Sequence, residues 1–389
     1  MLYPARVVER LAASAERFRA FAEYEVAAFR AFDQTITLLE GLDREAIIAR
    51  LRTDEHPGAL PGEEWEHPGS LIVPFGEVFP HHRAARQWAL QQIAGITTVA
   101  VDGSEIKPTK DYSIPIAAVQ VAWFENPHRA DRRYIKDVRF DIVPPDELGG
   151  EVADGFGTAD QQLALRRFRS EIDAAIERIR ALAHHSREER PPVVFFDGSL
   201  VVSFAAGMLE EYGTRYIEAI CRLVAESEAA RIPIVGYVDT SLAKDLTTML
   251  AVIGGLSRAQ RIPDSRLIDH RLSWGDRTRA LVCARDDVLV RYRDHTGRDY
   301  SREICFVYLK TSQFAPPARL DIPRWIIRAG LLDHVVDVVR AEVIVGNGYP
   351  YCIETADACA VLSARDRERF YRLLQDFTAR QGIALRIVP

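Results

Sequence analysis

The chain has 389 residues, 50 Lys+Arg against 56 Asp+Glu, and a formal net charge of −6. Its 48% apolar and 27% charged residues exclude wholesale disorder and allow about two to three domains. The scattered cysteines without a Cys-x-x-Cys, the lack of about 18 consecutive apolar residues and the N-terminal sequence exclude a disulfide framework, a zinc knuckle, a transmembrane helix and a signal peptide; a cytoplasmic protein is expected.

Residues 5–52 read as helical, with Val7, Leu11, Phe18, Phe21, Phe29, Phe32, Ile36 and Leu39 at helical spacings. Residues 53–80 are rich in Pro, Gly, Glu and His and read as a loop or linker. A compact unit is expected from about residue 91. The β-branched run Ile96-Thr97-Thr98-Val99-Ala100-Val101 predicts a buried strand ending at Asp102-Gly103-Ser104. Residues 114–124 and 133–142 predict a hairpin, and 159–183 an amphipathic helix. Pro192-Val193-Val194-Phe195-Phe196 predicts a second buried strand, again ending at Asp-Gly-Ser (Asp197-Gly198-Ser199).

Helices are then expected around 205–230 and 241–254, with a strand at 232–238 between them. Residues 255–300, polar and Arg-rich, read as an insertion. A strand at 304–309, a mixed stretch at 324–345, helices at about 351–362 and 365–381, and a closing strand at 383–388 complete the chain. This order predicts an α/β fold with a mixed sheet flanked by helices: an N-terminal helical region and linker (1–90), then one α/β domain (91–389).

The paired Asp-Gly-Ser sequences carry the chemistry. A carboxylate just past a buried strand sits at the sheet rim, where open α/β folds place ligands. Two such strands side by side would bring Asp102 and Asp197 to one hard divalent cation, the glycine letting the backbone turn away. Glu171, bordering the apolar stripe of the 159–183 helix, is a third candidate, with Glu177 as its alternative. Gly348-Tyr349-Pro350 would launch a helix carrying Glu354 and Asp357 on one face. Lys244 and Lys310 follow strands and are candidate phosphate contacts. They are two of only five lysines, with Lys107, Lys110 and Lys136. Asp239 could add a metal ligand, but an N-cap for the helix from about Ser241 to Leu250 explains it more cheaply.

Together with Gly236-Tyr237-Val238-Asp239-Thr240-Ser241, Tyr308-Leu309-Lys310-Thr311 and Gly348-Tyr349-Pro350-Tyr351, these motifs resemble the NurA-domain nucleases over about residues 95–365. The resemblance implies a ribonuclease-H-like core, a homodimeric ring around DNA, and Mn²⁺-dependent (Mg²⁺ as the substitute) 5′-to-3′ exonuclease and single-strand endonuclease activity. It also implies work with a hexameric HerA-type translocase in DNA-end resection and repair. Carried over residue by residue, Asp102, Glu171 and Asp197 match the acidic metal ligands. Where the family often has Ala-His, this chain has Ala356-Asp357, making Asp357 a fourth carboxylate ligand. Two other functions remain: a non-catalytic DNA clamp or adaptor for a motor ATPase, and an actin-like ATPase, whose second glycine motif would have to be Gly254-Gly255.

Overall fold

The computed structural model describes residues 2–148, 159–185, 188–258, 262–285 and 288–386. The N-terminal periodicity gives α1 (Pro4–Ala13), α2 (Ala15–Glu40) and α3 (Arg44–Leu51). Asp43 caps α3 by accepting from the Ala46 N–H at 2.8 Å. Next come β1 (Gly58–Pro61), β2 (Ile72–Val73) and α4 (His82–Ile93). The expected linker is therefore part of the fold. Trp65 is fully buried there, and its Nε1–H donates to the Ala280 carbonyl at 3.2 Å.

The strands β3 (Thr98–Ile106), β4 (Ala117–Asn126) and β5 (Ile135–Val143) form an antiparallel meander. Then come α5 (Ala159–Leu182), β6 (Val193–Asp197), α6 (Glu210–Ala230), β7 (Ile234–Val238), α7 (Asp245–Gly254) and α8 (Asp264–Ile268). The strands β8 (Arg277–Thr278), β9 (Leu281–Ala284), β10 (Ile304–Leu309) and β11 (Ala318–Pro323) precede α9 (Arg324–Arg328), α10 (Leu332–Val345), α11 (Tyr351–Ala360) and α12 (Ala364–Arg380).

The strands join one sheet in the order β1-β9-β10-β11-β7-β6-β3-β4-β5, with β8 bridging β2 and β10. At its heart β6 runs parallel to both β3 and β7, while β4 and β5 run antiparallel. The order β7-β6-β3-β4-β5, with α5 before β6 and α6 before β7, is the ribonuclease-H-like arrangement.

Successive strand residues point to opposite faces. Val99 and Val101 pack in the core that includes α5 and α6, and Ala100 in the core that includes α10 and α11.

Three expectations are corrected. The described residues of 255–300 are built into the core rather than inserted beside it, because β8 and β9 are sheet strands and Asp264, Arg277 and Leu281 are buried. The 1–90/91–389 boundary separates nothing, since β1 pairs with β9 and β2 with β8. The closing strand is absent from 383–386, where the Ser113 N–H donates to the Arg386 carbonyl (2.9 Å) and the Arg386 N–H donates to Ser113 Oγ (2.9 Å) to hold the tail. The remainder of that expected strand lies outside the described residues.

Candidate active site

The site arises where two neighbouring strands end at different places. β4 accompanies β3 along its whole length, from Thr98 to Ile106, but β6 accompanies it only from Thr98 to Val101. Asp102 is therefore the first residue of β3 whose β6-side edge is open. β6 stops at Asp197, and Gly198 follows at φ 132°, its N–H bonded to the Tyr237 carbonyl at 3.0 Å. That backbone suits glycine. The result is a notch at the strand ends with Asp102 and the exposed Asp197 as neighbours across it.

The glycine of the first Asp-Gly-Ser serves a different purpose from the turn expected of it, because β3 runs straight through Gly103. A Cβ there would lie 2.4 Å from Glu171 Oε1 and 2.9 Å from its Cγ. The missing side chain lets the buried Glu171 of α5 cross the strand into the notch. Glu177, six residues on, faces outward and pairs with Arg139 (2.7 Å), so the geometry selects Glu171.

The carboxylates feel one another. Burial pushes the Asp102 carboxyl up to about 6, with repulsion from Asp357 and Asp197 adding and the Gly103 N–H and Arg167 opposing. Burial also pushes Glu171 up, to about 7, with Asp102 and Asp197 adding to the rise and Arg167 opposing it. Asp197 is raised by burial and by Asp357 and Asp239, against a hydrogen bond from Tyr349. Asp357 stands exposed on α11, projecting its charge onto both aspartates. This is a hard-oxygen donor set short of positive charge, which suits a divalent cation. Among the described residues no three His, Cys, Asp or Glu side chains close into a metal-binding group. The donor chemistry fits a hard cation, and the carboxylates border the notch rather than forming a finished cage.

Residues 96–362 match the model of the NurA domain. The chain belongs to the NurA domain family. In fold it is similar to the NurA nuclease from Sulfolobus solfataricus, at 14% identity over 74% of this chain and 85% of that chain, with a TM-score of 0.48. The catalytic domain of human endonuclease V is similar at 13% identity over 78% and 92%, with a TM-score of 0.32. The A. aeolicus Argonaute is similar at 10% identity over 68% and 28%, with a TM-score of 0.30. No curated protein matches the sequence.

Two side chains of this NurA domain belong to the site although their roles were not read from the sequence. Tyr349, in the turn before α11, donates its hydroxyl to Asp197 Oδ1 at 3.0 Å and packs edge-on against Tyr237 at 5.2 Å. Arg167, one helical turn before Glu171, pairs with it, with Glu105 Oε2 at 3.3 Å, and with the Gly103 carbonyl at 3.3 Å. The i, i+4 spacing of Arg167 and Glu171 was the available signal. The tyrosine's hydroxyl contact had none beyond the Gly-Tyr-Pro turn.

The other candidates fall elsewhere. Lys310 is not a phosphate contact: it is buried, pairs with Asp269, and donates to the Ala315 carbonyl at 2.9 Å. Lys244 is exposed and lines a separate cleft with His56, Arg258 and Arg285, none of them a notch residue. Asp239 is not an N-cap. α7 starts at Asp245, and its first amides, Leu246 N–H (2.9 Å) and Thr247 N–H (2.8 Å), are taken by the buried Asp264. Glu354 is exposed on α11. Gly254 and Gly255 end α7, the latter as a left-handed C-cap, so the glycine pair that an actin-like ATPase would need is a helix stop.

Proposed function

We propose that this chain is a metal-dependent nuclease that hydrolyses DNA phosphodiesters at the β3/β6 notch. What carries this reading is the placement of Asp102 where β6 stops pairing with β3, of Asp197 at the end of β6 and of Glu171 against Gly103, with Asp357 repelling both aspartates. These four would hold Mn²⁺, with Mg²⁺ as the substitute. Such an ion, when bound, supplies charge to neutralise a phosphate and acidifies a coordinated water.

The chain's own residues prepare the site. Gly103 leaves the space through which Glu171 reaches the notch, and Tyr349 fixes one oxygen of Asp197. Arg167 balances Glu171 and Glu105, and its guanidinium is the one bonded at the carboxylates. Lys244 offers an exposed cation farther off.

The finer reading follows the family: 5′-to-3′ exonuclease and single-strand endonuclease activity, a homodimer, and partnership with a HerA-type hexameric translocase in end resection. The net charge of −6 supports the last point, because cationic phosphate contacts dominate DNA affinity and a translocase would add grip. No helix among the described residues is long and apolar enough to cross a membrane.

End-labelled single- and double-stranded DNA incubated with Mn²⁺, Mg²⁺ or EDTA, beside Asp102→Asn, tests the reading. Metal-dependent degradation lost in the variant is expected. No cleavage with either metal, with or without the translocase, would instead favour the clamp.

A further inference from the structure

The strand that carries Asp102 runs on into a second, cationic cleft that the carboxylate notch does not use. Past Ile106, the β3–β4 connection faces α12 across a cleft of about 930 Å³. Lys107, Lys110, Arg367 and Arg372 line it, together with Tyr112 and Tyr371. Positions 367, 371 and 375 share one face of α12 at i, i+4 spacing, with Glu368 and Arg372 flanking it, while Leu374 and Thr378 of α12 are buried.

The two walls are tied together. The Tyr371 hydroxyl donates to the Lys107 carbonyl at 3.0 Å, and Gln375 Nε2 donates to the Tyr112 hydroxyl at 3.2 Å. The two tyrosine rings stack with centroids 4.9 Å apart and planes 12° from parallel.

Two of these cations, Lys110 and Arg367, are not spent internally. Lys107 pairs with Asp160 at 3.1 Å. Lys110 and Arg367 are exposed and make no ion pair among the described residues. The cleft also has two acids: Asp111, which accepts from Thr109 Oγ1 at 2.7 Å within its own loop, and the exposed Glu368 of α12, against the four cations.

Asp102, Ser104 and Ile106 share a face of β3, and Ser104 Oγ accepts from the Leu362 N–H just before α12 (3.3 Å). The chain entering α12 thus meets the far end of the strand on the face that Asp102 shares. Five strand residues place Lys107 about 16 Å from Asp102, the rise of about five stacked nucleotides. α12 also lies beyond residue 362, where the NurA-domain match ends.

We propose that this cleft is a single-stranded nucleic-acid track leading from the carboxylate notch, with Lys110 and Arg367 on phosphates and the Tyr112–Tyr371 stack beside the bases. An aromatic platform serves unpaired bases, which every sequence offers, and this favours a single strand over a duplex or an acidic peptide. The proposal rests on the nuclease reading above.

The test is fluorescence anisotropy in EDTA, with the full chain and a labelled single strand of about 16 nucleotides. The matching duplex and poly-glutamate serve as competitors. Lys110→Glu/Arg367→Glu is expected to lower single-strand affinity at least about tenfold. The dependence of log K on log salt should become shallower by about 1.4, from two contacts at about 0.7 each. The Lys110→Gln/Arg367→Gln pair should show the same trend, and both should melt as the wild type does. Affinity within twofold of wild type for both pairs would overturn the proposal. So would displacement of the strand by poly-glutamate but not by unlabelled single strand. Mn²⁺-dependent hydrolysis of bis(4-nitrophenyl) phosphate by the wild type reports on the nuclease reading separately, because so small a diester does not span the track.

Discussion

Asp102→Asn should make the metal-free protein more stable at pH 8. The wild-type carboxyl, ordinarily near 3.8, is pushed up to about 6, so keeping it ionised in the fold costs about 3 kcal/mol. Most of that penalty is burial, with Asp357 and Asp197 adding to it, and because a buried amide also loses some hydration, about 1–2 kcal/mol should return when the charge is deleted. At about 2.1 cal/mol/K per residue, 389 residues give an unfolding entropy near 0.8 kcal/mol/K. The expected rise in Tm is then about 1–3 °C.

The sign is set by linkage. The folded state holds the Asp102 proton more tightly than the unfolded state, so wild-type stability falls as pH rises from about 4 through about 6. The advantage of Asn should therefore be full at pH 8, about half as large at pH 5, and nearly gone only below the unfolded pKa near 3.8. Differential scanning calorimetry in EDTA at the two pH values measures it. A variant that melts at or below wild type at pH 8, or with the same gap at both pH values, would refute the reasoning.

Gly103→Ala should lower cleavage about a hundredfold by pushing Glu171 aside, while costing about 1–2 kcal/mol in urea unfolding, since the colliding atoms belong to a side chain. Tyr349→Phe removes the bond that holds Asp197 down. The acid limb of the pH–rate profile should move to higher pH, with under about 1.5 kcal/mol lost in stability. Arg319→Leu leaves Asp245 and Asp321 buried without their shared guanidinium and should cost about 3–5 kcal/mol in a chemical melt. Trp65→Ala should cost about 3–5 kcal/mol in the same assay if residues 53–80 belong to the core.

The sequence was most legible where one physical rule acted alone. The runs ending at Val101 and Phe196 are buried on both faces and so read as uninterrupted apolar strands. The 3.6-residue period of α5 survives because only one side of it is covered. Legibility failed where distant partners decide. β1 and β2 are short strands recruited by β9 and β8, about two hundred residues away in sequence. β11 reads as polar because it carries Arg319 and Asp321, yet these two pair with each other inside the sheet at 2.7 Å.

Asp102 looked like a strand end because the apolar run stops there, whereas β4 carries the strand four residues further. Of the site, the two Asp-Gly-Ser carboxylates and Asp357 were legible from local motifs. Choosing Glu171 over Glu177, and finding Tyr349 on Asp197, required the relative placement of α5, β3 and the turn before α11.

The most direct measurement is Mn²⁺ binding, followed by electron paramagnetic resonance, to the wild type and to Asp102→Asn/Asp197→Asn. The account predicts bound Mn²⁺ in the wild type, lost in the double variant together with DNA cleavage. Equal Mn²⁺ binding by both proteins, or DNA cleavage surviving in the double variant, would contradict it.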